Sequence, residues 1–176
     1  VAATGRCVQR PPCLDWGRLV ILERGDMWSI ASLTDWFLVT TNPIVNRQGL
    51  AVMGKGMAKQ AADRFPALRK DFADRLAKKE YEESPVFTIG KYQSGTGMFA
   101  HQLRIGCFMV KHNWKDKANL RLISDSTEHL SALIDYVGVG RVDLNFPGIG
   151  NGGLAREAVL PIIERLPDNV HVWEYA

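Results

Sequence analysis

The chain has 176 residues, enough for one domain with a sizeable core and too few for two ordinary ones. With 46% apolar and 23% charged residues it has the composition of a soluble globular domain, and no apolar run approaches the roughly 20 residues of a membrane helix. The 22 Lys+Arg against 19 Asp+Glu leave a net +3, which tolerates an anionic ligand but does not by itself indicate nucleic acid. Cys7, Cys13 and Cys107 are odd in number and lack any His/Cys ligand spacing, so neither a disulfide framework nor a zinc site is expected, and a reducing cytoplasm is the expected compartment.

Residues 1–17 show neither a signal-peptide pattern nor a clear periodicity and are expected to be a tail or upstream extension, leaving 18–176 as the domain. The runs 18–26, "RLVILERGD", and 36–43, "WFLVTTNP", have the β-branched and apolar density of buried strands. A glycine-rich loop follows, then "GMAKQAADRFPALRKDFADRLAKK", predicted helical with Pro66 opening a second segment after Phe65. Residues 85–114 are predicted as two or three strands with a turn at Ser94–Gly97. Asp116 is expected to cap a helix whose apolar positions Leu120, Ile123, Leu130, Ile134 and Val137 share one face, with Gly138 and Gly140 ending it. A strand, a second glycine loop, a helix and the final strand "NVHVWEY" complete the chain. Strands alternating with helices throughout predict a three-layer α/β domain with a largely parallel or mixed sheet, and ligands at the carboxyl ends of the strands.

Each glycine loop nearly matches a familiar pattern. Gly148, Gly150 and Gly153 spell G-x-G-x-x-G between a strand and a helix, but a dinucleotide fingerprint opens a unit followed by several strands, and here only one remains. Gly49 through Lys55 satisfy G-x-x-x-x-G-K, but the eighth position, where a hydroxyl would hold Mg²⁺, is Gly56. What the loops share is passage from a strand into a helix N-terminus, where unpaired N–H groups and the helix dipole favour an anion. Tight turning alone accounts for one such loop; two in one small domain point to a diphosphate flanked by backbone amides from two sides.

The ordered set "GDM" (Gly25–Met27), "TTN…GLAVMGKGMA" (Thr40–Ala58) and "PGIGNGGL" (Pro147–Leu154) resembles the macro domains, three-layer α/β/α modules with a central mixed sheet that bind ADP-ribose. The resemblance runs from about Leu19 to Tyr175. "MGKGMA", "VKHNW" (Val110–Trp114) and "GNGGL" narrow it to the branch containing the terminal ADP-ribose protein glycohydrolase and the antitoxin of a DNA-ADP-ribosylating toxin–antitoxin pair. It implies that Asp26 accepts from the adenine amino group while the backbone at Met27 frames the base, and that Asn42 lies near the distal ribose. It also implies that Met53, Gly54, Lys55, Gly56 and Met57 line the diphosphate from one side, and Pro147, Gly148, Ile149, Gly150, Asn151, Gly152, Gly153 and Leu154 from the other. Lys55 reads equally as a solvent-facing cation, Asn46 as a solvated loop residue, and Tyr175 as an adenine-stacking ring or as edge packing.

In that branch a lysine in the segment matching "VKHNW" acts on the anomeric carbon of the distal ribose, which places the catalytic role on Lys111. The residues alone read Lys111, His112, Lys115 and Lys117 as a basic surface strip, with His112 and Trp114 at the rim. One departure stands out. Relatives carrying "GLD" after the second loop offer an aspartate as acid/base partner, and this chain has Ala155. Glu157 is then either a substitute or a residue that complements the helix dipole. The resemblance implies an ADP-ribosyl glycohydrolase acting on nucleic acid or protein, with ADP-ribosylated DNA among the candidate substrates. It needs no cofactor or metal, has no membrane partner and is expected to be a monomer. The alternatives are a non-catalytic ADP-ribose reader and a phosphatase or deacetylase of modified free ADP-ribose.

Overall fold

The computed structural model describes residues 19–175, so the expected tail, Arg18, Cys7 and Cys13 lie outside the described residues. Six strands, β1 (Ile21–Arg24), β2 (Trp36–Thr41), β3 (Val86–Ser94), β4 (His101–Met109), β5 (Val142–Asn145) and β6 (Val170–Glu174), form one sheet in the order β1-β6-β5-β2-β4-β3. All neighbours are parallel except β3 and β4, an antiparallel hairpin at one edge, so the sheet is mixed. The helices are α1 (Gly56–Arg64), α2 (Leu68–Ala77), the single turn α3 (Glu80–Glu83), α4 (Leu120–Val137) and α5 (Arg156–Ile163).

Alternation along the strands divides the interior into two layers. Phe37, Val39, Ile105 and Cys107 face α1 and α2, meeting Ala61, Leu68 and Phe72. Leu38, Phe108, Leu144 and Val172 face α4 and α5, meeting Ile123, Leu130, Val159 and Ile163. Helices on both faces of the sheet give the three-layer α/β/α architecture. Burial pushes the Cys107 thiol up to about 12, which makes it a packing residue rather than a nucleophile.

Three local expectations need correction. The first strand covers only four residues, and Ile21 and Leu22 are 38% and 43% exposed, because β1 lies at the sheet edge with β6 as its single partner. Propensity identified the strand; its burial depended on neighbours distant in sequence. The cap of α4 is Asn119, whose side chain accepts from Leu122 N at 3.0 Å, not Asp116. Asp116 instead lies in a turn, its N–H bonded to Asn113 O, while Ala118 N and Asn119 N dock on Gly152 O and Val110 O and delay the helix. The turn α3 has no counterpart in the sequence reading. Other details hold: Phe65 and Pro66 separate α1 from α2, and Gly138 ends α4 in the left-handed conformation at φ 72°.

Five parallel strands direct their carboxyl ends to one end of the sheet. Register fixes this: Arg24 is paired with Glu174, Asn145 with Trp173, and Thr41 with Met109. Beneath that end, the fully buried Asp143 accepts from Arg141 Nε and Nη2 at 2.8 and 2.9 Å and from Trp173 Nε1 at 2.7 Å. Asp143→Leu, which strands both donors, is expected to lower unfolding stability by about 3 kcal/mol. A denaturant titration checks this, and an unchanged midpoint would show the network to be energetically idle.

Candidate functional site

The first loop joins β2 to α1. Asn42 sits at its base with Oδ1 accepting from Ile44 N and Nδ2 donating to Val52 O, both at 3.1 Å, so its amide closes the intervening insertion. Asn46 turns the tip by accepting from Gln48 N and Leu50 N. The buried Met53 anchors the return, and Gly54 and Lys55 emerge into solvent. Lys55 is the N-cap of α1 and makes no side-chain capping bond. The N–H groups of Gly56, Met57 and Ala58 therefore have no acceptor among the described residues. Gly56 has φ 57°, a conformation that β-branched side chains avoid, which is a physical reason for glycine where a P-loop has Ser or Thr.

The second loop leaves β5 through Phe146, which is tied to Trp173 O, and closes on itself through Gly152 N to Ile149 O, Gly153 N to Gly150 O and Leu154 N to Gly148 O. Gly150 N and Asn151 N have no acceptor among the described residues. The glycines here are not equivalent. A Cβ at Gly148 would stand 2.7 Å from Ile123 Cδ1 and 2.9 Å from Leu154 Cδ1, and at Gly152 it would stand 3.1 Å from Ala118 Cβ. Those two exist for the protein's own packing. Gly150, by contrast, faces open space with φ 61°. Gly148→Ala combines a clash with strain at φ 76°, and is expected to cost about 2–5 kcal/mol, a large part of a typical folding stability. A wild-type melting temperature for that variant would contradict the packing role.

The two loops meet. A Cβ at Gly56 would lie 3.5 Å from Asn151 Nδ2, which sets the unpaired amides of the two loops beside each other. Lys111 reaches the same place: Val110 N continues the β4 pairing to Thr41 O, and Lys111 Nζ donates to Asn151 O at 2.8 Å. Around it, Lys117 lies over Gly153, and Lys115 sits 5.4 Å above the half-exposed ring of Trp114. Lys111 also borders a cavity of about 580 Å³ walled by His112 and His129 and by the carboxylates of Glu82, Glu83, Asp125 and Glu128. Burial lowers the pKa of His129, and Ser84 Oγ lies 2.7 Å from its Nε2.

After β1, Asp26 caps the turn Met27–Ile30 by accepting from Trp28 N at 3.0 Å with Oδ1. Met27 is wholly buried, backbone as well as side chain, in the core layer that contains Phe37 and Val39. Gly25 N bonds Glu174 O, bringing Asp26 beside the end of β6, where Tyr175 projects into solvent. Ala155 is the N-cap of α5 and makes no capping bond; Glu157 lies exposed in the first turn. Phe146, Arg156 and the Ser84–His129 pair belong to no motif of the sequence. The signal for Arg156 was an arginine at the start of a helix, where the dipole disfavours a cation. The other two depend on contacts between distant segments.

No protein-family model and no curated protein matches the chain. Solved structures do. The macrodomain of Mycobacterium tuberculosis DarG matches at 25% identity over 89% of this chain and 97% of its own, with a TM-score of 0.62. Thermosipho africanus DarTG in complex with ADP-ribose matches at 24% identity and a TM-score of 0.69 over 89% of this chain and 42% of that one. The macrodomain of Thermus aquaticus DarG matches at 23% identity, covering 90% of this chain and 98% of that one, with a TM-score of 0.61. The chain has the macrodomain fold. Within that fold it is similar to the DarG macrodomains.

Proposed function

We propose that this macrodomain binds ADP-ribose and removes it hydrolytically from an ADP-ribosylated nucleic acid or protein, with Lys111 as the catalytic residue. The observation that carries the reading is the meeting of two loops with unpaired amides, with the Lys111 amine held against the second of them. Unpaired N–H groups at Gly56 and Met57 on one side and Gly150 and Asn151 on the other suit a diphosphate without a metal ion. Asp26 at one end offers a carboxylate oxygen to an exocyclic amine, and Lys111 at the other places a nucleophile beside the distal ribose. The Thermosipho DarTG complex with ADP-ribose supports the choice of ligand.

The chemistry then runs as follows. The unprotonated Lys111 amine bonds to the anomeric carbon, the bond from that carbon to the modified group breaks, and the departing group takes up a proton. The ribose ring then opens as its oxygen takes up the second proton lost by the former amine, leaving a neutral Schiff base to Lys111. Water adds to the Schiff base and expels the amine, giving free ADP-ribose. Ala155 favours a second reading, a reader that binds without turnover, because a methyl group moves no proton. Incubation with ADP-ribosylated DNA and, separately, with glutamate-linked ADP-ribosyl protein distinguishes the two: release supports the hydrolase, and binding without release supports the reader.

A further inference from the structure

We propose that the β3–β4 hairpin carries a second site, remote from Lys111, for a single nucleic-acid strand, with phosphates on Lys91 and Arg104 and a base on Phe99. The inference goes beyond the ADP-ribose reading and does not depend on it. It starts from an arrangement that folding alone does not favour. Lys91 and Arg104 stand directly opposite each other in the antiparallel pairing of β3 and β4, where like charges destabilise a sheet. Neither side chain has an ion pair or hydrogen bond among the described residues. A lysine on the edge strand β3 can serve to blunt the edge, but Arg104 lies on β4, which is paired on both sides. One pair nearer the tip, Gln102 Nε2 donates to Gln93 Oε1 at 2.8 Å, so the two cations and two amides share one face of the hairpin. Tyr92 and Leu103, between them, turn to the other face and are buried.

The polar face is open: Lys91, Gln93 and Gln102 are exposed and Arg104 is half-buried. Lys91, Gln102 and Arg104 line a cavity of about 460 Å³ at the amino ends of β2 and β5, whereas Lys111 follows the carboxyl end of β4. One carboxylate shares the lining, Asp35, and its Oδ2 already accepts from Arg141 N at 2.8 Å. Asp35 leads into β2 and Gly138, the end of α4, leads towards β5, so β4 separates both from Lys91. The negative end of the α4 dipole and the Asp35 carboxylate therefore direct an anion to the hairpin wall. The tip of the same hairpin supplies a ring. Phe99 is 79% exposed on a turn closed by Phe99 N to Thr96 O and Ala100 N to Gly97 O. Unpaired cations, side-chain amides and an exposed ring along one ribbon suit a phosphodiester strand, whose charge the cations neutralise and whose bases stack on the ring.

The test is a fluorescence-anisotropy titration with a labelled oligothymidylate of about 12 nucleotides, at low salt and with ADP-ribose in excess. Wild type is expected to bind. Lys91→Ala combined with Arg104→Ala should weaken binding about 10-fold or more and lower the slope of log affinity against log salt by about 1.4, two phosphate contacts' worth. Phe99→Ala should weaken it about 5-fold or more. Lys91→Glu separates binding from folding. It sets opposite charges across the hairpin, so the melting temperature should equal or exceed that of wild type while strand affinity falls about 10-fold or more. Failure of wild type to bind, or wild-type affinity in Lys91→Glu or Phe99→Ala, would overturn the proposal. So would loss of binding when ADP-ribose is added, which would place the strand at the Lys111 site, or equal displacement by a glutamate peptide of the same charge.

Discussion

Replacing Lys111 with alanine is expected to lower ADP-ribose release by about a hundredfold or more, since it removes the group that forms the covalent intermediate. Affinity for ADP-ribose should change little by comparison, because the loop amides that face the diphosphate stay in place. The bond lost is Lys111 Nζ to Asn151 O, one tie to a loop that also closes through three backbone bonds of its own. Lys111→Arg sharpens the test. Arginine keeps the charge and the donor to Asn151 O but remains protonated, so it cannot attack a carbon. A variant that is inactive as arginine yet binds ADP-ribose normally identifies Lys111 as nucleophile. Release at the wild-type rate from Lys111→Ala would discard the mechanism and leave the fold untouched.

Gly54→Ala is expected to leave stability unchanged and to damage binding. A Cβ at Gly54 meets no protein atom within 4 Å, and its backbone lies outside the left-handed region, so alanine is accommodated without strain. The same Cβ would project into the space assigned to the diphosphate. An added methyl against a well-packed neighbour typically costs about 1–3 kcal/mol, which corresponds to a loss of roughly 5- to 150-fold in affinity. Gly148→Ala is the opposite case, expected to lose stability because its neighbours are the side chains of Ile123 and Leu154. Melting temperatures and ADP-ribose titrations of the two variants test this division. Equal binding by Gly54→Ala and wild type would move the ligand away from the first loop.

The layered fold was legible because its signals are local: apolar alternation in "WFLVTTNP", the single helical face of Leu120 to Ile134, and Pro66 after Phe65. The edge position of β1 was not, since exposure of Ile21 and Leu22 follows from strand order, which no window of sequence contains. The α4 cap was not legible either, since Asp116 is as good a capping residue as Asn119 and only the docking of Ala118 and Asn119 on Gly152 and Val110 decides between them. In the site, the loops could be identified from their glycines, but not which glycine serves packing and which faces outward. That distinction lies in Ile123 and Ala118, on a helix and a turn some thirty residues upstream. Arg156 depends on Glu174 and Phe146 in the same way.

The most direct measurement is an amide NMR titration of the 176-residue chain with ADP-ribose in the presence of a metal chelator. The N–H signals of Gly56, Met57, Gly150 and Asn151 are expected to move together and saturate at one ligand per chain. Movement confined to one loop, or saturation only when a divalent ion is restored, would contradict a diphosphate held between the two.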